Sequence, residues 1–323
     1  SVVVDVPGLT LEGPNAGTPA TANRTGEAVI DFDDPPASGG AAVTVTADNV
    51  TIDGFEIQSE GQDGITVPTA LDRLKIRNTR ITAVAGNTFG SSNGPRGAGN
   101  GINLQYAASS EQTSSNILIK DNLISGVTTP NATGRTVAIG IQVLPRGNDV
   151  ENLRVDDTVI TDIAPGASSD GDEETRGIAV DTQLTNGSGV ATGLTVTDTE
   201  FTNLSGETVR SVALFESNTA PVLGPTNFTI ARNTFDNLTA TGSFRPNVIY
   251  VGAYKELGAS HAFTENNILD GIVVRFADTS DPVGFIQDAD ARDAREKWWG
   301  NATGPSGAGP GRERIAVGTA DVT

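Results

Sequence analysis

Apolar and polar residues alternate over short stretches of this chain, and the same stretch recurs from one end to the other. The main unit spans nine residues, Asn-Φ-x-Φ-x-x-x-x-Φ, where Φ is apolar and Gly, Arg or Ser also occupies the first position. It begins at residues 49, 73, 116, 152, 193, 227 and 260, with a weaker copy at 8. A second pattern, Gly-Ile-x-Val, begins at residues 64, 101, 140, 177 and 271, with looser copies at 42, 211 and 248. Such alternation predicts short strands with one buried face.

The spacing of the copies predicts how these strands are arranged. Successive main units lie 24 to 43 residues apart, which is long enough for a complete winding to connect adjacent parallel strands. Stacked copies bury a continuous core that no single copy can bury alone. The sequence therefore predicts an all-β, single-domain right-handed parallel β-helix over residues 1–287, with about eight coils and a length of about 40 Å. One inward ladder of this solenoid is expected to contain Ile52, Ile76, Ile119, Val155, Val196 and Ile230.

The last part of the chain follows a different pattern. Asp288–Lys297 is rich in charge and predicts one short helix, which Trp298, Trp299 and a Gly/Pro-rich stretch follow. We expect residues 288–323 to form a helical and loop cap packed on the last coils, because large apolar side chains there would cover the open end. The alternative is that the two tryptophans form a platform on which sugars stack.

The composition restricts the classes of partner. The chain has 40 Asp and Glu against 21 Lys and Arg, a net charge of −19, which argues against nucleic acid and anionic lipid as ligands. An acidic surface with few lysines indicates adaptation to concentrated salt, and bound calcium is the alternative. The absence of cysteine excludes disulfides and thiolate metal sites, and one histidine excludes multi-histidine sites. No apolar stretch is long enough to span a membrane.

Two further features suggest an exported protein. The chain has no methionine and no recognisable signal peptide, so we expect it to be a mature or trimmed segment of a longer precursor. Eight Asn-x-Ser/Thr sequons are candidate glycosylation sites. A strand that starts Asn-apolar-Thr also creates such a sequon without any modification. The candidate asparagines are Asn23, Asn49, Asn131, Asn186, Asn203, Asn227, Asn237 and Asn301.

Three segments carry a resemblance to a known family. The stretches Val6–Gly17 and Ala47–Phe55 resemble the opening coils of right-handed parallel β-helix repeat proteins. These belong to the pectate-lyase-like superfamily, which includes NosD-type periplasmic proteins and haloarchaeal surface proteins. The stretch Trp298–Gly307, with its Trp-Trp-Gly and Gly-Pro-Ser-Gly sequences, resembles the closure of the haloarchaeal members. The resemblance implies the fold and a saline habitat, while members of the superfamily range from polysaccharide lyases and hydrolases to adhesins and spacers.

One column of polar residues is a candidate metal site. Asp121, Asp157 and Asp198 follow the second apolar position of three successive units by two residues, and Arg232 and Glu265 continue the column. Aspartates about 5 Å apart repel unless a cation or solvent lies between them. The resemblance implies that a calcium ion is held by such a column, as in pectate lyases. The alternative is a bend, where Asp and Asn favour left-handed backbone geometry.

Other candidates for chemistry are weaker. His261 occupies an apolar position and is either a half-buried end-of-ladder residue or an acid/base catalyst. The acidic runs Asp31–Asp34 and Asp170–Glu174 are interpreted as solvated loops. Adjacent coils supply many carboxylate pairs, so the paired-carboxylate mechanism of glycosidases has no specific support here. The sequence assigns no catalytic residue and requires no cofactor, although Ca2+ is compatible with it.

Two functional hypotheses follow. The first is a secreted or cell-surface structural or adhesive protein of a halophile, which binds carbohydrate and stacks end to end into filaments through its open strand edges. Its partners are then further copies of itself, other envelope components or a glycan. The second is a polysaccharide lyase or hydrolase that uses the acidic column and an arginine on one sheet face.

Overall fold

The chain is built from short strands that follow one another with few residues between them. The computed structural model describes residues 1–33, 39–89, 96–106, 112–146, 148–181, 190–215, 227–242, 246–252, 262–269, 272–277, 292–293 and 320–321. The strands are β1 (Val2–Val4), β2 (Thr10–Glu12), β3 (Val29–Phe32), β4 (Ala41–Val45), β5 (Thr51–Asp53), β6 (Glu56–Ser59), β7 (Asp63–Val67), β8 (Lys75–Arg77), β9 (Arg80–Val84), β10 (Asn87–Phe89), β11 (Arg96–Gln105), β12 (Thr113–Ser115), β13 (Leu118–Lys120), β14 (Leu123–Ser125), β15 (Thr136–Leu144), β16 (Asp149–Glu151), β17 (Arg154–Asp156), β18 (Val159–Ile163), β19 (Glu173–Asp181), β20 (Ala191–Thr192), β21 (Thr195–Thr197), β22 (Glu200–Gly206), β23 (Thr208–Phe215), β24 (Thr229–Ala231), β25 (Thr234–Ala240), β26 (Asn247–Gly252), β27 (Ala262–Thr264), β28 (Asn267–Ile268), β29 (Ile272–Ala277), β30 (Arg292–Asp293) and β31 (Ala320–Asp321). No helix occurs in these parts of the chain.

The strands form three long parallel sheets, and each coil contributes one strand to each of them. Sheet A runs β1-β4-β7-β11-β15-β19-β23-β26-β29, sheet B runs β2-β5-β8-β13-β17-β21-β24-β27-β30-β31, and sheet C runs β3-β6-β9-β14-β18-β22-β25-β28. A short fourth sheet, β12-β16-β20, lies at one corner, and β10 pairs antiparallel with β11. The predicted parallel β-helix is therefore confirmed. The coils that contribute a strand to all three long sheets begin with β1–β3 and end with β26–β28. Their number is close to the predicted number of coils.

Apolar side chains stack inside the solenoid as the sequence predicts. Ile52, Ile76 and Ile119 are paired in register on β5, β8 and β13, and Val155, Val196 and Ile230 extend this ladder. All six side chains are fully buried. Sheet C supplies an aromatic pair to the same core, in which the rings of Phe201 and Phe235 stack at 4.9 Å. The core is thus continuous along the coil axis.

Left-handed backbone at the corners explains why polar residues recur there. The residue that opens the main unit has positive φ in successive coils, as at Asn49 (57°), Asn116 (58°) and Asn152 (56°). The corner after sheet B is left-handed as well. Asparagine tolerates this geometry better than most residues because its side chain bonds to nearby backbone. The winding therefore favours asparagine at this position, although Arg73 adopts the same geometry with φ of 58°.

The glycine of the Gly-Ile-x-Val pattern fixes which residues of sheet A face outward. A Cβ on Gly140 would lie 2.6 Å from the carbonyl oxygen of Gly177 and 2.8 Å from Cγ2 of Ile160, a buried core residue. Position 140 therefore faces the interior, where no side chain fits. The following residue, Ile141, is also buried in the core. The strand consequently presents the residue before the glycine to the outer face.

The C-terminal segment is described only in part. Arg292 and Asp293 form β30, and Asp293 pairs with Ala262 of sheet B. The predicted helix over Asp288–Lys297 is therefore wrong at these two residues, because sheet B continues through them. Trp298, Trp299 and His261 lie outside the described residues, as does most of the predicted cap. The boundary between residues 1–287 and 288–323 stays a prediction.

Two predicted loops contain strand residues. Asp31 and Phe32 belong to β3, and Glu173 and Glu174 belong to β19. Asp31 is exposed, whereas Glu174 is buried, so the interpretation of Asp170–Glu174 as a solvated loop is wrong at its end. Among the described residues, none forms a helix with the length and hydropathy that a bilayer crossing requires.

Candidate functional site

A row of outward positions runs across sheet A at the residues that precede the Gly-Ile-x-Val pattern. We call this the outer row. Its members are Asp63, Asn100, Ile139, Arg176, Arg210 and Asn247, which are paired in register on β7, β11, β15, β19, β23 and β26. Neighbouring members lie about 4.8 Å apart along the coil axis. Five of the six are polar, yet all are buried except Arg210, which is half-buried.

The first part of the face is an amide patch, formed by Asp63, Thr66, Asn100 and Asn103. Nδ2 of Asn100 donates to Oδ1 of Asp63 at 2.7 Å, and Nδ2 of Asn103 donates to Oδ2 at 2.9 Å. Burial raises the pKa of Asp63 from 3.8 to about 6, although hydrogen bonds from Asn100, Asn103 and Thr66 oppose this rise. The carboxyl therefore titrates close to neutral pH and is mostly ionised above it.

Two acceptors of the amide patch have no hydrogen-bond partner. Oδ1 of Asn100 and Oδ1 of Asn103 are both buried and receive no donor within the described part of the chain. Their residues are only 1% and 2% exposed. Buried polar atoms are almost always paired, and an exception calls for an explanation such as a bound water, an ion or local strain. The patch thus contains one carboxyl and two unpaired amide oxygens, all of them beneath the surface of sheet A.

The second part of the face is organised around Glu174, which is 2% exposed. Its carboxylate accepts from Nε and Nη2 of Arg176 at 2.8 and 2.9 Å, and it also forms ion pairs with Arg135 and Arg210. Desolvation lowers the pKa of the Arg176 guanidinium to about 10, although the nearby Asp181 carboxylate acts to raise it. Arg176 nevertheless remains charged at neutral pH. One buried carboxylate is thus paired with three guanidinium groups.

Two of these arginines form a stack with two aromatic rings, which we call the Arg–aromatic stack. The guanidinium carbon of Arg176 lies 4.3 Å from the ring centroid of Phe215. The guanidinium carbon of Arg210 lies 5.4 Å from Phe215 and 4.0 Å from the centroid of Tyr250. The two rings are 5.3 Å apart and tilted by 50°. Cation–π contacts of this kind order the side chains on the outside of the sheet.

Asn247 ends the outer row beside Arg210. Its side chain is fully buried, and neither Nδ2 nor Oδ1 has a hydrogen-bond partner among the described residues. An amide in this state costs free energy, because it gave up water without gaining a replacement. Asn247 therefore contributes no stabilising side-chain hydrogen bond to the described structure.

The column proposed from the sequence forms the corner after sheet B. Asp121, Asp157 and Asp198 have φ of 56°, 44° and 52°, and Arg232 has φ of 58°. Each residue is therefore left-handed, as the bend interpretation requires. The column is not a row of unpaired acids. Lys120 pairs with Asp157 and lies 3.9 Å from Asp121, while Arg232 donates to both carboxylate oxygens of Asp198 at 2.9 and 2.5 Å.

The pKa shifts around this corner reflect ion pairing and partial burial. Hydrogen bonds to Asp157 and Asp156 raise the pKa of Lys120, and partial burial raises the pKa of Asp121. Partial burial also acts to raise the pKa of Asp156, but hydrogen bonds from Thr197 and Lys120 outweigh it and lower the value. Within the described ranges, no group of three or more His, Asp and Glu side chains is placed to hold a metal ion. Calcium at Asp121, Asp157 and Asp198 stays a prediction.

Backbone geometry accounts for several of the sequons. Asn49, Asn203, Asn227 and Asn237 are exposed, and all have positive φ between 48° and 57°. The asparagine at these positions therefore has a conformational reason independent of glycosylation. Asn23 and Asn131 are exposed at other positions, and Asn186 and Asn301 lie outside the described residues. Glycosylation of the eight sequons stays a prediction.

The outer row was not found from the sequence, although a signal for it exists. Aligning the copies on their Gly-Ile-x-Val pattern places Asp63, Asn100, Arg176, Arg210 and Asn247 in a single column. That column combines a carboxylate, amides and guanidinium groups. What the sequence did not show is the direction of these side chains. Inward and outward positions are usually assigned by strict alternation, and the buried glycine interrupts that alternation.

Comparisons with known proteins give similarity at low identity. No protein-family model matches this chain, and no curated protein matches it. Among solved structures, the chain is similar to an alginate lyase from Paenibacillus sp. str. FPU-7, with 13% identity, 77% of this chain and 76% of that chain covered, and a TM-score of 0.31. It is also similar to the Dettilon tailspike protein, with 14% identity, 83% and 54% covered, and a TM-score of 0.33. These values are too low to transfer a function.

Proposed function

We propose that this protein binds a glycan on the outer face of sheet A, along the outer row. The observation that carries the proposal is the run of polar outer-row side chains in register, which ends beside the half-buried Arg210 and Tyr250. A solenoid that is stabilised by its stacked apolar core does not need such a polar row on its outer face.

The chemistry of the face suits a carbohydrate. Sugars offer hydroxyl groups in fixed directions; amide side chains both donate to and accept from them, and carboxylates accept from them. The Arg–aromatic stack adds the half-buried ring of Tyr250 at the far end of the outer row, and aromatic surface of this kind is common in ligand sites. Outer positions recur from coil to coil at the strand spacing of about 4.8 Å, and five of the six positions in the outer row are polar. A polymer of similar units can therefore be bound at several rungs at once.

The cellular setting belongs to the same proposal. The acidic, lysine-poor composition and the exposed sequons support a secreted or cell-surface protein of a halophile, in which glycan binding serves adhesion. End-to-end self-association is part of the same proposal: within the described residues β1 and β3 each pair with one neighbour, and Val3, Val6 and Val29 are exposed there. Unpaired parallel edges are templates for strand addition.

Polysaccharide cleavage is the second candidate, and Asp63 favours it. A carboxyl with a pKa of about 6 is suited to donate or accept a proton near neutral pH. Glu174 does not complete a carboxylate pair with it, since three strand spacings separate the two residues by about 14 Å. The paired mechanisms require about 5–9 Å. Release of new reducing or unsaturated ends, lost in Asp63→Asn, would establish cleavage.

The binding proposal is tested with Tyr250→Ala, because the Tyr250 ring is half-buried on the outer face of β26 and lies beside Arg210. Affinity for a bound polysaccharide, measured by affinity electrophoresis, should fall about tenfold, as loss of one good contact with a ligand predicts. Circular dichroism establishes that the variant is folded. Gln58→Ala on the outer face of sheet C is the control and should bind normally. Equal affinity of Tyr250→Ala and the parent would refute the proposed face.

A further inference from the structure

The connection from sheet B to sheet C is different in the first coil. We number the coils so that coil 1 contains β1–β3 and coil 4 contains β11–β14. In coils 2–4 this connection has two residues, as at 54–55 and 121–122, whereas in coil 1 it consists of residues 13–28, which we call the strap. We propose that the strap clamps coils 1–4 into one cooperative unit, so that these coils open together and not one at a time.

The strap begins directly on the corner of coil 2. The backbone N–H of Gly13 donates to the carbonyl of Asp53 at 2.8 Å, and the N–H of Gly17 donates to Oδ1 of Asp53 at 3.1 Å. A Cβ on Gly13 would lie 2.2 Å from the carbonyl oxygen of Gly54, and a Cβ on Gly54 would lie 2.1 Å from the backbone nitrogen of Ala16. The two glycines therefore permit a backbone contact that leaves no room for a side chain.

The middle of the strap reaches two coils further. The side chain of Arg24 is 0% exposed, and its Nη1 donates to the carbonyl of Asn78 in coil 3 at 2.7 Å. The N–H of Ala20, which is also fully buried, donates to the carbonyl of Asp121 in coil 4 at 2.9 Å. Since neighbouring rungs are about 4.8 Å apart, the strap connects coils that lie about 14 Å apart along the coil axis.

A largely buried ion cluster holds the strap in this position. Nη2 of Arg24 donates to Oε2 of Glu27 at 2.6 Å, and Nη1 of Arg80 in coil 3 lies 3.2 Å from Oε1 of Glu27. Arg80 also donates through Nε and Nη2 to the carbonyls of Ala20 and Ala22, at 2.8 and 3.1 Å. Removing one partner from such a cluster leaves an uncompensated charge, which is strongly destabilising. The cluster therefore opposes partial detachment of the strap.

These contacts give the solenoid a coupling that a simple stack of coils does not have. In a repeat protein each repeat contacts its neighbours, so that opening can begin at one repeat and spread from there. The strap adds contacts between coil 1 and coils that lie two and three rungs away. Detaching it breaks its hydrogen bonds to coils 2, 3 and 4 at the same time. Coils joined in this way are expected to open in one step.

The experiment is native-state hydrogen exchange of the full chain, measured by mass spectrometry in urea below the unfolding transition. In the parent, the amides of β5, β8 and β13 should share one free energy of opening. In a shortened variant, Gly-Phe, the connection of coil 2, replaces residues 13–28. Exchange should then become at least tenfold faster in coils 1–4 and should be graded from coil 1 to coil 4. Strands β21 and β22 of coil 6 are the internal control and should stay within twofold of the parent.

A point variant tests the same unit without changing the length of the chain. Arg24→Gln removes the buried cation and leaves Arg80 as the partner of Glu27. The amides of Leu118 and Leu123 in coil 4 bond to carbonyls of coil 3, and their exchange should become at least tenfold faster. The reason is that destabilising one member of a cooperative unit lowers protection in all of its members.

The matched control is Arg232→Gln, which removes an ion pair with Asp198 from the same corner in coil 7. It should leave exchange in coils 1–4 unchanged. Faster exchange of Arg24→Gln confined to residues 13–28 and coil 2 would overturn the proposal, because coil 4 would then not depend on the strap. Equal acceleration in coils 1–4 and coil 6 would also overturn it, since the unit would then be the whole solenoid. Different free energies of opening for β5, β8 and β13 in the parent would have the same consequence.

Discussion

Two regions of this solenoid hold acids beside basic residues, and they differ in exposure to water. At the corner after sheet B, the side chains of Lys120 and Asp157 are 34% and 47% exposed. On the outer face of sheet A, the side chains of Arg176 and Glu174 are 6% and 2% exposed. The corner satisfies its charges with solvent and with flexible partners. The face of sheet A has removed its charges from water and must satisfy them internally.

This difference in exposure indicates different roles for the two regions. An exposed ion pair contributes about 0–1 kcal/mol, so the corner carries charge at little cost or benefit. Burying an ion pair costs desolvation free energy, and even good geometry does little more than offset that cost. Buried polar groups on an outward face are thus expensive for a solenoid that needs only a stacked apolar core. We interpret the outer row as a surface shaped for a ligand.

The largest expected effect is from Glu174→Gln. The amide would leave Arg135, Arg176 and Arg210 gathered around a neutral group, and an uncompensated buried charge costs about 3–5 kcal/mol. Urea unfolding monitored by circular dichroism measures the loss. Glu200→Gln, at an exposed position of β22 on sheet C, should change the free energy of unfolding by no more than about 0.5 kcal/mol. Similar losses for the two variants would mean that Glu174 is not the centre of the cluster.

Asp63→Asn gives the next effect, and it depends on pH. The folded-state pKa is raised from 3.8 to about 6, so the folded protein binds the proton more tightly than the unfolded chain. The free energy of unfolding therefore falls by about 3 kcal/mol as pH rises from about 4 through 6, at 1.36 kcal/mol per pH unit. The variant should lack this component.

Unfolding curves of the parent and Asp63→Asn at several pH values isolate that component. Their difference in free energy should move in favour of the variant as pH rises, and Asp236→Asn is measured in parallel because it removes the same charge on sheet C. A constant difference from pH 4 to pH 7 would show that Asp63 is not buried in the way described.

Much of the fold follows from the sequence, because alternation and spacing determine which residues stack. Ile52, Ile76 and Ile119 lie in the predicted ladder since each coil repeats the same inward position. The outer row escaped prediction because alternation assigns outward residues to solvent, and burial there depends on neighbouring coils. Glu174 illustrates this, since Asp170 and Asp172 before it are exposed while Glu174 pairs with arginines from three different coils. Contacts between coils are a property of register, which no single segment contains.

The inside of the corner after sheet B gives a third, intermediate prediction. Asn122 follows Asp121 and is fully buried, where its Nδ2 donates to the carbonyl of Ile76 and its Oδ1 accepts from the backbone N–H of Thr79, both at 2.9 Å. Asn122→Ala leaves both backbone groups unpaired, at a cost of about 2–3 kcal/mol. Thermal or urea unfolding measures it. Asp121→Asn, one residue earlier on the outside, should cost much less, and a larger loss there would reverse the assignment.

Asp157→Asn should have the smallest effect and tests the calcium hypothesis directly. Asparagine accepts the left-handed backbone that Asn78 already adopts at the equivalent corner, with φ of 50°, and Lys120 keeps its ion pair with Asp156 at 2.9 Å. The free energy of unfolding should change by less than about 1 kcal/mol. Calcium that binds only the folded chain would raise the melting temperature in proportion to the logarithm of its concentration. We expect calcium and EDTA to give the same melting temperature for the parent and for Asp157→Asn. A rise of the melting temperature with calcium in the parent that Asp157→Asn abolishes would instead make this corner a metal site. The Asp157 carboxylate would then be a calcium ligand, and Lys120 would pair with it only when calcium is absent.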